Sequence, residues 1–306
     1  MYELLCFKST KRRGDKVMGL MKNLKEEAFS KNTKIQTSEA SKLEKIFNNL
    51  FYKEKNIEEE TKFVKQVMTR GLESQKRVGL HASAMLKGDK DFCLRGQVLS
   101  LIYEQLQGEQ VPVNLMRIFE EGNAIHEKWQ RLIIRGGYGR AVDMDKTRFC
   151  KEYKMSYTPD IICKIPEFFD GKMVGEIKSV NTFQFKKMTK HPSAWKQCQW
   201  YMHLCIEEAK NKGIWNGKDY TKGFVLNDDK NTQDFKLEVY NYDPAQIDIY
   251  ADRAEAIIYH YNKVFEKGKM IKRPDEAINP TCKKCKDCIM RDACWNIGMG
   301  RIKLGG

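Results

Sequence analysis

The sequence predicts an α/β fold, and three observations lead there. Apolar residues recur at helical spacing over long stretches, at about 38–70, 115–133, 193–210 and 244–265. Short apolar runs bounded by turn residues mark strands at 158–165 and 172–178, with shorter ones at 223–226 and 235–240. Helical and strand-like stretches alternate through the second half of the chain, the order an α/β fold requires.

The chain has 306 residues, enough for one large domain or a domain plus an extension. Its apolar fraction of 41% is ordinary for a folded protein, and the mean hydropathy of -0.63 reflects abundant lysine and glutamate. No stretch approaches the roughly 20 apolar residues of a membrane span. The opening Met1-Tyr2-Glu3-Leu4-Leu5-Cys6 lacks the pattern of a secretory signal. The expectation is a cytoplasmic protein without a membrane partner.

Residues 1–78 read as a helical N-terminal extension with an early basic patch at Lys8, Lys11, Arg12 and Arg13. Leu43, Ile46, Phe47 and Leu50, then Val64, Val67 and Met68, form its apolar stripe. Residues 79–306 read as the second unit. It starts mainly helical, with Ile118, Phe119, Ile125, Trp129, Leu132 and Ile133 on one face, and Gly136-Gly137 stops that helix. The strand Thr158-Pro159-Asp160-Ile161-Ile162-Cys163-Lys164-Ile165 follows. A turn at Asp170-Gly171 joins it to the strand Lys172-Met173-Val174-Gly175-Glu176-Ile177-Lys178, so the two form a hairpin. A helix over 193–210, two shorter strands and a helix over 244–265 lead to a C-terminal cysteine run.

The formal charge is +14, from 55 Lys+Arg against 41 Asp+Glu. That excess suits a polyanion, whose condensed counterions basic side chains displace, or equally a lysine-rich solvated surface. Ten cysteines in a cytoplasmic chain are not expected to be disulfides. Cys6, Cys93, Cys150, Cys163, Cys198 and Cys205 are scattered, as small buried hydrophobes are. Cys282, Cys285, Cys288 and Cys294 crowd together at metal-site spacing.

Glu176 and Lys178 are two apart on a strand and leave one face, and the hairpin can bring Asp160 alongside. Two carboxylates at close range repel unless a cation sits between them. A hard ion such as Mg²⁺ or Mn²⁺ accepts such oxygens and would also coordinate a phosphate. The lysine could position and stabilise an attacking water, which completes the parts for phosphodiester hydrolysis. Upstream, Gly122 and His126 lie one turn apart on a helix. Glycine there costs about 1 kcal/mol relative to alanine, and close approach of another backbone is the expected reason. Downstream, Gln197 and Tyr201 share one face of the next helix.

The order Gly-x-x-x-His, Asp, Glu-x-Lys, Gln-x-x-x-Tyr resembles the RecB-like branch of the PD-(D/E)XK nuclease superfamily, over roughly residues 79–295. The resemblance implies a restriction-endonuclease-like core, a mixed central sheet flanked by helices. It implies that His126, Asp160, Glu176 and the carbonyl of Ile177 bind Mg²⁺ or Mn²⁺, with Lys178 as the catalytic lysine. Gln197 and Tyr201 would orient DNA and the active-site carboxylate. The activity implied is a DNA exonuclease, acting on ends or single strands in recombination, repair or replication, with a helicase or recombination partner or self-association open. A non-catalytic DNA-binding subunit is the alternative.

Cys285, Cys288 and Cys294, with Cys93 upstream, resemble the iron–sulfur ligands of the AddB-type and CRISPR-associated exonucleases of this branch. Cys282 is a fifth candidate, so a local Cys₄ zinc site stays open, as does a zinc-ribbon adaptor. Lys186, Lys187, Lys190 and His191, interleaved with Phe183, Phe185 and Trp195, suit either a single-stranded nucleic acid or a solvated loop. The stretch 213–218 lacks the spacing of a phosphate-binding loop. The lysine- and asparagine-rich composition points to a bacterial source or a virally infected host cell.

Overall fold

The structure is a computed structural model that describes residues 37–70, 80–102, 113–268, 270–286, 288 and 290–296. Cys6 and the basic patch at Lys8, Lys11, Arg12 and Arg13 lie outside the described residues. No helix among the described residues is long and apolar enough to cross a membrane.

In chain order, residues 37–48 form α1, a 3₁₀ turn follows at Asn49–Tyr52, and α2 spans Ile57–Arg70. Then come β1 (Leu80–His81), a 3₁₀ turn (Ala82–Leu86), α3 (Leu94–Ile102) and α4 (Val113–Arg135). A 3₁₀ turn (Ala141–Asp143) leads to β2 (Arg148–Cys150), β3 (Met155–Tyr157), β4 (Ile161–Lys164) and β5 (Lys172–Val180). The chain continues through α5 (Thr182–Lys187), α6 (Ala194–Asn211), β6 (Lys222–Asp229) and β7 (Phe235–Asn241). It closes with α7 (Asp248–Lys267) and α8 (Arg291–Asn296).

The central sheet is mixed and has the order β4-β5-β6-β7. β4 and β5 form the expected antiparallel hairpin, β5 and β6 are parallel, and β6 and β7 are antiparallel. A parallel step needs a crossover, and α5 and α6 supply it. β5 and β6 are buried along most of their length, as inner strands covered on both faces must be. The predicted α/β core, a mixed sheet flanked by helices, is therefore present.

Alternate residues of the strands feed two cores. Ile161, Met173, Ile177 and Phe224 face Leu43 and Phe47 of α1, Phe63 of α2 and Trp129 of α4. Ile162, Val174 and Val225 face Trp200 and Met202 of α6 and Ile257 of α7. The helices of residues 37–70 thus pack against the sheet. Gly223 is what lets α6 lie so close to the sheet. A Cβ there would stand 2.6 Å from Cys198 Sγ and 2.9 Å from the Val174 carbonyl oxygen.

Several expectations need correction. The helix expected over 38–70 breaks at the Asn49–Tyr52 turn, because Leu50 turns into the core there. Along the apolar stripe of α4, Ile125, Trp129, Leu132 and Ile133 lie in the core but Ile118 and Phe119 are exposed. The strand expected over 158–165 is confined to β4, so Asp160 stands just before it. Gly122 has no close neighbour from another segment among the described residues, where a Cβ would meet nothing within 4 Å. A second, three-stranded sheet of order β1-β3-β2 adds to the expected elements. Cys150, Cys163, Cys198 and Cys205 are buried, as expected of scattered cysteines.

Candidate active site

The register of the hairpin creates the site. β4 pairs with β5 from Lys172 only as far as Gly175, so the following residues of β5 run past the start of β4. The exposed edge must find other partners for its backbone groups. Asp160, one residue before β4, fills the gap: its Oδ2 accepts the Ile177 amide at 2.7 Å. Its own carbonyl accepts Gln130 Nε2 at 2.7 Å, which ties the strand end to α4.

His126 reaches the same edge from α4. Its Nδ1 lies 3.5 Å from Asp160 Oδ1, and its ring also hydrogen-bonds the Ile177 backbone. The opposite face of the edge carries Glu176 and Lys178, two apart on β5. Lys178 Nζ donates to Glu176 Oε1 at 2.6 Å and to Gln197 Oε1 of α6 at 3.2 Å. Gln197 Nε2 in turn donates to the Tyr201 hydroxyl at 3.3 Å. Among the predicted site residues, Asp160, Glu176, Ile177, Lys178, His126, Gln197 and Tyr201 thus form one connected set. Gln197 meets the lysine, however, rather than the carboxylate expected from the motif.

The electrostatics suit a cation. Glu176 is 1% exposed, and its Oε2 is buried with no hydrogen-bond partner among the described residues. Burial, with Asp160 beside it, pushes the Glu176 carboxyl up to about 8. Burial likewise pushes Asp160 up to about 7 against the pull of Lys178. Burial lowers His126, which keeps its imidazole neutral, the form that binds metals. Burial also works against the charge of Lys178, but Glu176 and Asp160 favour it and hold the ammonium above its ordinary value. Two desolvated carboxylates, one of them with an oxygen unpartnered among the described residues, and a neutral imidazole make a donor set suited to a hard divalent ion.

One residue here carries no signal in the sequence. Asp145, on the loop before β2, closes over Asp160, and its amide donates to the Asp160 carbonyl at 3.4 Å. No motif or periodicity marks it. Trp129 lies in the core as expected, but its indole also donates to buried Asp228 of β6 at 2.6 Å, where Lys128 Nζ joins it at 2.6 Å. That clamp fixes the turn of α4 next to His126.

The cysteines lie apart from this edge. Cys93, just before α3, comes beside Cys288: a Cβ on Gly96 would be 3.5 Å from Cys288 Sγ and 3.7 Å from Cys93 Sγ. Arg95 Nε donates to Cys294 Sγ at 3.1 Å, and Cys282 and Cys285 are hydrogen-bonded to each other. Burial raises the Cys288 thiol, with Cys93 and Cys294 adding to the effect.

Between β5 and α6 the basic and aromatic side chains interleave. Lys187 Nζ lies 3.8 Å from the Phe183 ring centre, and Lys190 Nζ lies 4.0 Å from that of Trp195. Phe183 is exposed, whereas Phe185 is buried and covered by Lys236.

Comparison with protein-family models finds no match, and comparison with curated proteins finds none. Among solved structures, the chain is similar to LHK-Exo in complex with dAMP, with a TM-score of 0.43 at 17% identity over 61% of this chain and 90% of that one. A second structure of this alkaline exonuclease, from Laribacter hongkongensis, gives a TM-score of 0.42 at 17% identity over the same shares, 61% and 90%. The crystal structure of SSO0001 gives a TM-score of 0.42 at 14% identity, over 76% of this chain and 93% of that one.

Proposed function

We propose that the chain is a divalent-metal-dependent DNA nuclease that hydrolyses phosphodiester bonds, as an exonuclease working at ends or on single strands. The observation that carries this reading is the open edge of β5, where Asp160 holds the Ile177 amide and meets His126 while Lys178 binds Glu176 two residues along the same strand. His126, Asp160, Glu176 and the carbonyl of Ile177 would hold Mg²⁺ or Mn²⁺. When bound, the cation supplies the positive charge that a phosphodiester requires as it is attacked.

The chain's own residues divide the remaining work. Lys178, kept protonated by its carboxylate neighbours, is unsuited to take a proton. Its part would be to orient the attacking water and stabilise the hydroxide left when solvent takes its proton, while the P–O bond to the leaving oxygen breaks and that oxygen takes a proton from solvent. Gln197 steadies the ammonium group, and Tyr201 steadies Gln197. The charge of +14 supports a polyanionic substrate, and the exposed Phe183 with Lys187, and Lys190 with Trp195, would offer a single strand basic and aromatic contacts. Recombination, repair or replication is the setting that such end processing serves.

Cys93, Cys285, Cys288 and Cys294 would carry an iron–sulfur cluster that clasps the C-terminal segment to the start of α3, with zinc at Cys282, Cys285, Cys288 and Cys294 as the competing assignment. The approach of Cys93 to Cys288 supports the first. The nuclease reading is tested by incubating linear DNA with the protein and Mn²⁺ or Mg²⁺, alongside Glu176→Gln. Degradation that needs the ion and disappears in the variant supports it. Binding without cleavage by a folded parent overturns it.

A further inference from the structure

The start of α6 is capped by an imidazole. Ser193 stands at the N-cap position, yet its side chain makes no capping hydrogen bond. His191 takes that role: its Nδ1 accepts the Ala194 amide at 3.0 Å and the Ser193 amide at 3.3 Å. Its own amide donates to Glu238 Oε1 at 2.7 Å, and Asn227 Nδ2 donates to the same oxygen at 2.8 Å. Asn227 is the register partner of Lys178 on the neighbouring strand. From the other side, Lys178 Nζ reaches Gln197, in the first turn of the helix that His191 caps. Two sets of contacts thus tie His191 to the surroundings of Lys178. We propose that His191 is a substrate-binding residue, its Nε2–H donating to a phosphate oxygen of the bound strand next to the bond that Lys178 serves.

The chemistry of the ring selects that atom. A nitrogen that accepts two amide hydrogens carries no proton of its own, so the hydrogen of the neutral ring sits on Nε2. Burial lowers His191, and the charge of Lys178 adds to the effect, so the neutral form is favoured. His191 is therefore a neutral donor, not one of the basic groups among which the sequence sets it. Its ring is only half-buried, and Nε2 has no hydrogen-bond partner among the described residues. The nearby ammonium of Lys178 disfavours a cation there and favours an anion. Pro192 follows directly, and its ring fixes φ, so the donor is held in place before any strand arrives.

Contacts to phosphate fix where a strand lies without reading its sequence. His191 would therefore set the register of the strand, so that one phosphodiester is presented to Lys178 while its neighbour is held.

This inference rests on the nuclease reading, and the test separates the two. Two substitutions divide the ring between them. In His191→Asn the amide oxygen can accept the amides that Nδ1 accepts, as in an Asx turn, but nothing replaces Nε2. In His191→Gln the longer side chain brings an N–H to the place of Nε2 and gives up the cap. Parent and variants, once melting curves confirm folding, are titrated against a fluorescein-labelled oligothymidylate strand in EDTA, at several salt concentrations. His191→Asn is expected to bind about tenfold more weakly, the cost of a lost hydrogen bond to a charged group. Its dependence on salt should match the parent's, because a neutral donor displaces no counterion. With Mn²⁺ it should show a raised KM at unchanged kcat. His191→Gln is expected to bind as the parent does, yet to melt at a lower temperature. Should His191→Asn fail to fold, His191→Ser takes its place, since serine also caps through its side chain. Parent-like binding by His191→Asn, or equal weakening in both variants, overturns the inference. A salt slope that falls by about one in His191→Asn would mark a cationic contact and overturn it too. The expected binding pattern in a parent that never cuts DNA with Mn²⁺ would leave His191 standing and sink the nuclease reading instead.

Discussion

Lys178 donates to Glu176 Oε1 at 2.6 Å, while the other oxygen of the same buried carboxylate has no hydrogen-bond partner among the described residues. In the proposed reading one oxygen is neutralised from within the protein and the other would take a cation. The lysine would then have two effects, one on the attacking water and one on the charge of its neighbour.

Shortening the lysine should separate these effects. In Lys178→Ala the cleavage rate should fall by about 10²–10³-fold, the usual cost of removing one group that stabilises developing charge. Mn²⁺ affinity should persist, because Asp160, Glu176 and His126 all remain. Parallel measurement of turnover and Mn²⁺ binding checks this, and equal loss of both would assign the lysine a purely structural part.

Metal-free protein should be less stable in alkali than near neutrality. Asp160 and Glu176 have folded-state values of about 7 and about 8, both above their ordinary carboxylate values. A raised carboxyl holds its proton more tightly in the folded state, so the cost of ionising it is absent at low pH and grows as pH rises towards 8. The melting temperature without divalent ions should therefore drop between pH 6 and pH 8.5. Mn²⁺ should restore it at the upper end, and Glu176→Gln should flatten the profile. A flat profile for the parent contradicts the burial of these charges.

Packing beneath α6 should prove equally exacting. Gly223→Ala places a methyl group 2.6 Å from Cys198 Sγ and 2.9 Å from a backbone oxygen, so α6 must shift. Overpacking of this kind costs about 1–3 kcal/mol. Because Cys198 adjoins Gln197, the shift should also loosen the Gln197–Lys178 contact and lower activity more than metal affinity. Denaturant unfolding and a steady-state assay on the same preparation measure both effects.

The cysteine assignment turns on Cys93. Cys93→Ser should abolish iron and acid-labile sulfide along with visible absorbance, and destabilise the junction of α3 with α8, while Cys282→Ser should leave the cluster in place. Colourless protein with stoichiometric zinc that survives Cys93→Ser but not Cys282→Ser would assign zinc instead.

The parts of this fold that follow a period are legible from the residues. β5 announces itself through its apolar run, and the two-residue step from Glu176 to Lys178 is enough to set both on one face. The second half of α4 and the whole of α6 follow from helical spacing for the same reason. Where burial does not follow a period, the sequence is silent. β1, β2 and β3 are two or three residues each, too short to show alternation. Ile118 and Phe119 continue the apolar stripe of α4 yet stay exposed, since a stripe records what could be buried rather than what is. Asp145 belongs to a loop, and only the closure of that loop over Asp160 brings it to the site. The Trp129–Asp228 contact joins residues 99 apart, and neither one alone hints at the other.

The most direct test of the central claim is cleavage of end-labelled single- and double-stranded DNA with Mn²⁺, comparing the parent with Lys178→Ala. The account predicts stepwise, metal-dependent shortening from an end by the parent, and loss of that activity in a variant that still folds and binds Mn²⁺. Intact DNA after incubation with folded, metal-loaded parent, or equal cleavage by both proteins, would contradict it.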